Sequence, residues 1–251
     1  MSFAKEDLLH EGERIDDLEV SGFRIIQNPS FFCFGMDAVL LSTFAGTTPK
    51  DKVMDLGTGT GIIPLLLLAK GKCASADGLE LQEDVAEMAG RSVLLNEVSD
   101  RCRIISGDIC EAEQLFPKGG YDAVTSNPPY IARENGLLND LSQKKNIARH
   151  EIMVTLSDVV RAAAYLLKPG GTFSMVHKPF RIPEIMETMR KYKLEPKRMQ
   201  LVQPYQSKEP NMVLLEAVKG GNPFLTVHPT LVVYEEGGGY TKELLQWYGK
   251  V

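Results

Sequence analysis

The stretch that decides the fold is Lys52-Val-Met-Asp-Leu-Gly-Thr-Gly-Thr-Gly-Ile-Ile-Pro64. A short apolar strand turns through a run of glycines and continues into an apolar helix over 65–70. Glycines let the backbone approach a ligand closely, and the first turn of the helix offers unpaired N–H groups. The pattern predicts a strand–loop–helix unit of an α/β domain with a ligand at the loop.

The glycine spacing and the residue before the loop narrow the choice of ligand. The dinucleotide fingerprint G-x-G-x-x-G would need a glycine at Ile62, but the last glycine, Gly61, comes one residue early. Asp55 puts a carboxylate at the strand end, which suits a cationic, amino-bearing ligand better than a pyrophosphate. S-adenosylmethionine is such a ligand because it carries an ammonium and a sulfonium. The alternative of another class, a nicotinamide-dependent dehydrogenase, is disfavoured by this spacing.

Acidic residues also follow the next two predicted strands. The strand over 73–79 runs into Glu80, where a carboxylate hydrogen-bonds ribose hydroxyls in nucleoside-binding sheets. Asp77 competes for this role, but Glu80 is followed directly by the predicted helix and is preferred. The strand over 102–106 leads to Asp108, placed to accept from the cofactor's adenine amino group. Each carboxylate alone is more often a solvated strand end or a helix cap. Their order along the chain favours a nucleoside cofactor.

The segment Asn127-Pro128-Pro129-Tyr130 follows the apolar run 121–126 and holds the candidate catalytic residues. Consecutive prolines supply no N–H and leave a stiff loop with free carbonyls. The Asn127 side chain and the Pro128 carbonyl can accept both N–H bonds of a planar amino group, while Tyr130 stacks on its plane. The alternative is a plain strand-ending turn. Following the glycine loop, the segment predicts methyl transfer to an exocyclic amino group, catalysed by orientation and without a metal.

These motifs resemble the class I S-adenosylmethionine-dependent amino-methyltransferases. Three further segments, at 24–28, 34–41 and 148–151, are similar to the bacterial tRNA adenine-N6 methyltransferase family, whose known members act on the adenine beside the anticodon of a valine tRNA. The resemblance extends from about Arg14 to Val218. It implies S-adenosyl-L-methionine as cofactor and RNA, most simply tRNA, as partner.

The motifs and the resemblance together predict the residues of the site. The predicted catalytic residues are Asn127, Pro128, Pro129 and Tyr130. The predicted cofactor-binding residues are Phe34, Asp37, Asp55, Gly57, Thr58, Gly59, Gly61, Glu80, Leu81, Asp108, Ile109 and Asn127. The predicted substrate-binding residues are Tyr130, Arg149, His150, Lys178 and Arg181. For the segment Arg149-His-Glu151, contact with the substrate is one interpretation, and a capping and surface ion-pair cluster is an equal alternative.

Other functions stay open at this point. A protein glutamine-N5 methyltransferase would present the same planar –NH2 to the proline loop, although such enzymes carry a separate helical amino-terminal domain, for which fifty residues are few. An RNA guanine-N2 methyltransferase is a variant of the same chemistry. A non-catalytic RNA-binding module that retains the fold is the alternative of a different class.

The composition is that of a soluble cytoplasmic protein. The 251 residues are 43% apolar and 24% charged, enough for one large domain with a sizeable core. No stretch has the length of a membrane span, and the amino terminus lacks a signal-peptide pattern. Four cysteines without CxxC spacing predict buried, reduced thiols, and four scattered histidines offer no metal spacing.

A basic run lies within a chain of net charge −5. Residues 161–208 contain ten Lys or Arg against three Glu, a local balance of +7. Such a run can contact RNA phosphates. A solvated helix face is the equal alternative.

The order of the elements predicts a doubly wound, mostly parallel, seven-stranded Rossmann-like sheet with an antiparallel hairpin near its carboxyl terminus. The predicted domains are a lead-in over 1–50 that closes the cofactor pocket, a methyltransferase domain over 51–219 and a tail over 220–251 without an assignable role. The residues 131–146 are interpreted as a flap over the substrate or a surface loop. The predicted elements after the flap are a helix from Thr155 to 168–171, a strand over 172–177, a helix over 181–192 and an antiparallel pair at 199–203 and 211–218.

Overall fold

The computed structural model describes residues 8–29, 35–128 and 154–250. The strands are β1 Arg14–Asp17, β2 Arg24–Gln27, β3 Lys52–Leu56, β4 Ser75–Glu80, β5 Cys102–Ser106, β6 Tyr121–Ser126, β7 Leu167–His177, β8 Leu194–Gln203, β9 Met212–Lys219 and β10 Thr226–Val232. The helices are α1 Met36–Phe44, α2 Ile62–Ala69, α3 Glu83–Leu95, α4 Ala112–Leu115, α5 Leu156–Leu166, α6 Ile182–Lys191 and α7 Lys242–Trp247, with short 3-10 helices at Ile109–Glu111 and Pro179–Arg181.

An eight-stranded sheet forms the centre of the molecule. Its strand order is β10-β8-β9-β7-β6-β3-β4-β5. The strands β3 to β7 pair in parallel, while β9 is antiparallel to both β7 and β8. The predicted mostly parallel sheet and its antiparallel hairpin are therefore confirmed, and the sheet has one strand more than the seven expected.

Helices cover both faces of the sheet, which explains the apolar character of its strands. On one face α1 and α2 pack against β3, β7 and β9, and every residue of α2 is buried because the helix lies between the sheet and α1. The other face carries α4, α5 and α6, with Tyr121 and Phe173 as its largest fully buried side chains. The glycine loop leads directly into α2, which lies in the core on the α1 face of the sheet.

The amino-terminal hairpin β1–β2 packs against α3. The N–H of Ile26 donates to Ser92 Oγ (2.9 Å), and the Asn96 side chain bonds both backbone groups of Arg24. Arg91 anchors the preceding segment through Glu13, 2.5 Å away, and its hydrogen bonds hold the pKa of Glu13 below its usual range. These contacts attach the lead-in to the helix that follows Glu80. Closure of the cofactor pocket by this lead-in stays a prediction.

The boundary between α5 and β7 differs from the prediction. The helix begins after the Thr155 capping box, as expected, but ends at Leu166, so 168–171 belong to the strand segment instead of the helix. Opposite β6 the register shifts between Tyr121 and Ala123, and the extra residues of β7 bulge out. A Cβ at Gly171 would lie 2.8 Å from the Asp122 carbonyl oxygen, so glycine is required where the strand re-enters the sheet.

The residues after 219 extend the sheet. β10 pairs in parallel with β8, and α7 packs against β10. Pro229 lies at an irregularity of the pairing, where its carbonyl accepts from Gln200 Nε2 (3.0 Å). A proline interrupts the alternation that identifies a strand and is tolerated here because β10 is the edge strand. This is why the sequence did not indicate the strand.

Three further features of residues 8–29, 35–128 and 154–250 concern membranes, metals and thiols. None of the helices there has the length and apolar character needed to cross a membrane. Those same ranges hold no cluster of three or more His, Cys, Asp or Glu arranged for a metal ion. Cys73 and Cys102 are buried free thiols, and burial raises the pKa of Cys73 to about 11 and that of Cys102 to about 12.

Candidate active site

The predicted motifs meet at one edge of the sheet. Because β6, β3, β4 and β5 are parallel and adjacent in this order, their carboxyl ends line up. Asn127, the glycine loop, Glu80 and Asp108 therefore follow one another along this edge, which we call the carboxyl edge. The residues were separate in sequence, and the sheet brings them together.

The glycine loop rests on the neighbouring strand. The N–H groups of Gly57 and Thr58 both donate to the Leu79 carbonyl, at 2.9 and 3.0 Å. The glycines Gly57, Gly59 and Gly61 have φ of +71°, +55° and +80°, which other residues rarely adopt. A Cβ at Gly59 would meet open space within 4 Å. The loop thus presents bare backbone to a ligand at Gly59 while Gly57 and Gly61 shape the turn.

Asp55 lies beneath the loop and is closed from solvent. It is 1% exposed, and its Oδ1 accepts from the Thr125 hydroxyl (2.7 Å). Burial raises the pKa of Asp55 to about 6, although the hydroxyls of Thr125 and Thr58 act in the opposite direction. Asp55 Oδ2 and Thr58 Oγ1 are buried without a hydrogen bond of good geometry among the described residues. A buried carboxylate with an unsatisfied oxygen favours positive charge at the loop above it.

Glu80 joins the loop to the next strand. Its Oε2 accepts from the Gly59 N–H (2.9 Å) and its Oε1 from the Gln82 N–H (3.0 Å). Each carboxylate oxygen has a second lone pair, so Glu80 can also accept from a hydroxyl pair of a ligand. Leu81, the next residue, is 38% exposed at the same edge. This arrangement fits a ribose above Gly59.

Asp77, the competitor of Glu80, occupies a different environment. It is 3% exposed and accepts from Arg103 Nη2 (2.7 Å) and the Tyr121 hydroxyl (2.8 Å). Burial raises its pKa, but these hydrogen bonds outweigh the burial and hold the pKa below its usual range. Asp77 is therefore occupied by Arg103 and Tyr121, whereas Glu80 lies at the strand end.

Asp108 and Ile109 border the loop on the β5 side. Asp108 Oδ1 accepts from the Cys110 N–H (2.8 Å) and so caps the short 3-10 helix. The Ile109 side chain lies against the glycine loop, since a Cβ at Gly57 would be 3.8 Å from its Cδ1. Capping uses one oxygen of Asp108 and fixes the orientation of the carboxylate, and the apolar Ile109 supplies a wall for a planar ring.

Asn127 and Pro128 leave β6 beside the glycine loop. Ser126 pairs with Leu56 across the two strands, and its hydroxyl donates to the Leu56 carbonyl (2.9 Å). Asn127 is half-buried and Pro128 is buried. The Ser126 and Thr125 hydroxyls thus tie the start of the proline segment to the end of β3. The local sequence does not identify these two residues, because their role depends on the pairing of β3 with β6.

His177 is a further residue of the edge that the sequence did not indicate. Ser126 pairs with Met175, so continuing the register places His177 level with Pro128. Its Nδ1 accepts from the Lys178 N–H (2.7 Å), and Arg181 Nη1 lies 3.4 Å from its Nε2. Burial, together with the Arg181 charge, lowers the pKa of His177 to about 4. The imidazole is therefore neutral at physiological pH.

Of the remaining predicted residues, some lie within the described ranges and the others lie outside them. Lys178 follows His177, and Arg181 is held by both carboxylate oxygens of Glu184, at 2.7 and 2.5 Å, instead of projecting into solvent. Asp37 lies in the first turn of α1, where its Oδ1 accepts from the Ala38 N–H (3.0 Å). The predicted residues that lie outside the described ranges are Phe34, Pro129, Tyr130, Arg149, His150 and Glu151.

The basic run over 161–208 is split in space. Lys168 lies in the bulge near the amino-terminal end of β7 and bonds Asp122, whereas Lys178 follows the other end of the strand, roughly 20–25 Å away at 3.3 Å per residue of paired strand. Several other cations form ion pairs with carboxylates of the same chain. These pairs are Arg161 with Glu113 and Asp158, Arg190 with Glu195, and Arg198 with Glu216. The run does not form one continuous surface.

Known proteins similar to this chain are methyltransferases. The family described as "Methyltransferase small domain" matches residues 23–195. The chain is 29% identical to a tRNA1(Val) (adenine(37)-N6)-methyltransferase of Porphyromonas gingivalis, over 89% of this chain and 90% of that one. It is 31% identical to a protein of the same name from Parabacteroides distasonis, over 72% and 75% of the two chains. The crystal structure of a predicted O-methyltransferase from Agrobacterium tumefaciens is similar in fold, with a TM-score of 0.68, 23% identity and coverage of 86% and 96%.

Proposed function

The chain belongs to the methyltransferase small domain family, and we propose that it transfers a methyl group from S-adenosyl-L-methionine to the N6 amino group of an adenine in tRNA. The observation that carries this proposal is the pairing of Leu56 with Ser126. It sets Asn127, the candidate amino-group acceptor, directly beside the glycine loop that would hold the methyl donor.

The loop and the strand ends fit the cofactor. Glu80 offers lone pairs for a ribose hydroxyl pair, and Ile109 with Asp108 offers a wall and an acceptor for an adenine ring. The buried carboxylate of Asp55 favours the ammonium and sulfonium charges above it. Because Asp55 is buried beneath the loop, its charge would act on the cofactor through the loop backbone. S-adenosylmethionine supplies an electrophilic methyl group on its sulfonium.

Asn127 and Pro128 would orient the substrate amine. The lone pair of an aryl amine is delocalised into the ring, so the amine is a poor nucleophile, but no strong base is needed to deprotonate it first. The Asn127 side-chain oxygen and the Pro128 carbonyl accept its two N–H bonds and favour a pyramidal nitrogen with its lone pair directed at the donor. The gain comes from orientation and from hydrogen bonds that strengthen in the transition state.

The tRNA assignment is supported by the relatives. Proteins named as tRNA1(Val) (adenine(37)-N6)-methyltransferases match most of the chain, and the amine-binding arrangement suits a base that has left its stack. Tyr130 would stack on that base. The adenine of a valine tRNA beside the anticodon is the specific substrate we propose.

The direct test is incubation of the purified protein with labelled cofactor and unmodified tRNA, followed by mass analysis of the nucleosides. We expect N6-methyladenosine. Replacing Asn127 by Ala should lower kcat by about 100- to 1000-fold, the usual loss when one transition-state hydrogen bond is removed. Asn222→Ala is the matched control. Asn222 is exposed and follows β9, so it lies at the amino ends of the parallel strands, away from the carboxyl edge.

Four results would contradict the proposal in different ways. Undiminished transfer by Asn127→Ala would refute the acceptor role. Label in protein alone would replace RNA methylation by glutamine-N5 methylation, and N2-methylguanosine would change the target base. Binding of tRNA without any transfer by the unmutated protein would favour an RNA-binding module.

A further inference from the structure

Phe180 is a large apolar side chain left 73% exposed beside the candidate site. We propose that its ring stacks on a nucleobase of the bound tRNA, close to the target adenine. The inference rests on the proposed function, because it assumes that the polynucleotide enters at the carboxyl edge. Phe180 is not among the residues that the motifs identify.

The sheet places Phe180 next to the amine-binding segment. It lies in the 3-10 helix Pro179–Arg181 directly after β7, the strand adjacent to β6. Neighbouring strands are about 4.8 Å apart, and the turn advances only a few residues past the level of Pro128, so Phe180 lies on the order of 10–15 Å from Asn127. That distance corresponds to about three or four stacked nucleotides at roughly 3.4 Å each.

The backbone under Phe180 is held rigidly. The Arg181 N–H donates to the Lys178 carbonyl (3.1 Å) and closes the turn, and Pro179 restricts its first residue. The Arg181 guanidinium is fixed by both oxygens of Glu184. A fixed turn reduces the backbone freedom that is lost when a ligand stacks on the ring, which favours binding.

The chemistry around the ring suits a nucleobase. An aromatic face accepts any base because every base has a π-face, and a neighbouring cation can serve the phosphate that connects the bases. Lys178 precedes Phe180 by two residues and Arg181 follows it directly, paired with Glu184, so the ring lies in a stretch of chain that carries basic side chains. A protein partner would favour a contiguous apolar patch instead.

The chain contains a matched control for this inference. Phe224 is also 73% exposed, but it lies between β9 and β10. β9 runs antiparallel, and Val218 near its end pairs with Thr172, where β7 re-enters the sheet after its bulge, so Phe224 is at the opposite edge of the sheet. Substitution of either ring removes the same exposed apolar group. Only the substitution of Phe180 should weaken the binding of tRNA.

The experiment compares Phe180→Ala, Phe180→Trp and Phe224→Ala in tRNA binding and in methyl transfer. We expect Phe180→Ala to raise Kd and KM for tRNA by about 5- to 30-fold, the loss typical of one base stack. Its Kd for S-adenosylmethionine should stay unchanged. Phe180→Trp should bind tRNA as well as the parent, and Phe224→Ala should match the parent in every measurement.

Equal tRNA affinities for Phe180→Ala and Phe224→Ala would overturn the inference, as would failure of the parent protein to bind tRNA. Loss of affinity in Phe180→Trp equal to that in Phe180→Ala would also overturn it, since tryptophan retains the stacking face. The proposed function fails separately. If the parent binds tRNA without transferring methyl groups, the comparison of Kd values still decides the role of Phe180.

Discussion

Thr58 of the glycine loop lies directly over Gly78 of β4. A Cβ at position 78 would be 2.7, 2.8 and 2.9 Å from the Cγ2, Oγ1 and Cβ atoms of Thr58. Contacts this short do not persist between carbon atoms, so any side chain at position 78 displaces Thr58. The loop therefore depends on a glycine twenty residues further along the chain.

Gly78→Ala should weaken cofactor binding and have a smaller effect on the stability of the folded protein. We expect the Kd for S-adenosylmethionine to rise about tenfold or more, since shifting a site by about an ångström has large effects. Gly90→Ala is the control, because Gly90 lies within α3 and a Cβ there meets nothing within 4 Å. This substitution should stabilise the protein by about 0.5–1 kcal/mol. Calorimetric titration and urea unfolding measure both quantities, and unchanged cofactor affinity in Gly78→Ala would contradict the prediction.

Asp55→Asn should stabilise the protein at alkaline pH while weakening its function. Because the folded-state pKa of Asp55 is raised to about 6, its favourable contribution is complete below the unfolded pKa of 3.8 and is lost as pH rises through 6. Asparagine does not ionise, so the variant should exceed the parent by on the order of 2–3 kcal/mol at pH 8, a gain that disappears towards pH 4.

Urea unfolding at both pH values checks this prediction. Asp100→Asn, which removes an exposed carboxyl at the opposite edge of the sheet, should change stability by less than about 0.5 kcal/mol. Cofactor affinity of the parent should fall as pH drops below 6, whereas Asp55→Asn should bind weakly at every pH. If Asp55→Asn is less stable than the parent at pH 8, the ionised Asp55 carboxylate does not destabilise the folded protein and the prediction is wrong.

Asp77→Asn should lower stability and leave cofactor binding intact. Removing the charge of the buried Asp77 carboxylate weakens its hydrogen bonds from the solvent-exposed Arg103 side chain and from the Tyr121 hydroxyl, at a cost of about 1–3 kcal/mol. Because the folded-state pKa of Asp77 is lowered, its contribution is present above the unfolded pKa and is lost as pH falls through the folded value. The difference between variant and parent should therefore shrink in acid.

Glu80→Gln provides the contrast to Asp77→Asn. Glu80 bonds the Gly59 N–H at the carboxyl edge, so this variant should lose cofactor affinity with little loss of stability. Thermal unfolding and ligand titration of both variants separate the two carboxylates. Equal losses of cofactor affinity in the two would contradict the roles assigned to them.

Tyr234→Ala should loosen the carboxyl-terminal segment. Tyr205, Tyr234, Tyr240 and Tyr248 form a chain of contacting rings with centroid distances of 5.4, 5.5 and 6.1 Å. Tyr234 touches two of the rings, so its loss should cost about 2–3 kcal/mol. Tyr234→Phe keeps the ring and should unfold close to the parent. If Tyr234→Ala and the parent unfold at the same urea midpoint, the stacked tyrosines contribute nothing to the free energy of unfolding.

Much of the site was predictable because strand ends are local features. Each strand, and the acidic or proline segment after it, is recognisable from a few neighbouring residues, and the alternation of strands and helices dictates a parallel sheet. The strand at 226–232 was missed because Pro229 hides its pattern. The relation of Thr58 to Gly78 and the burial of Asp77 were missed because both depend on contacts between strands.

The sequence by itself determined the order of the motifs, the α/β class and the chemistry for which the glycine loop and Asn127-Pro128 are suited. Only the tertiary structure decided which residues share an edge of the sheet. Strand direction separates Phe180 from Phe224 and Lys178 from Lys168, although each pair looks alike in sequence. The physical reason is that hydrogen-bonded pairing fixes where each strand ends relative to its neighbours, and no local pattern encodes that distance.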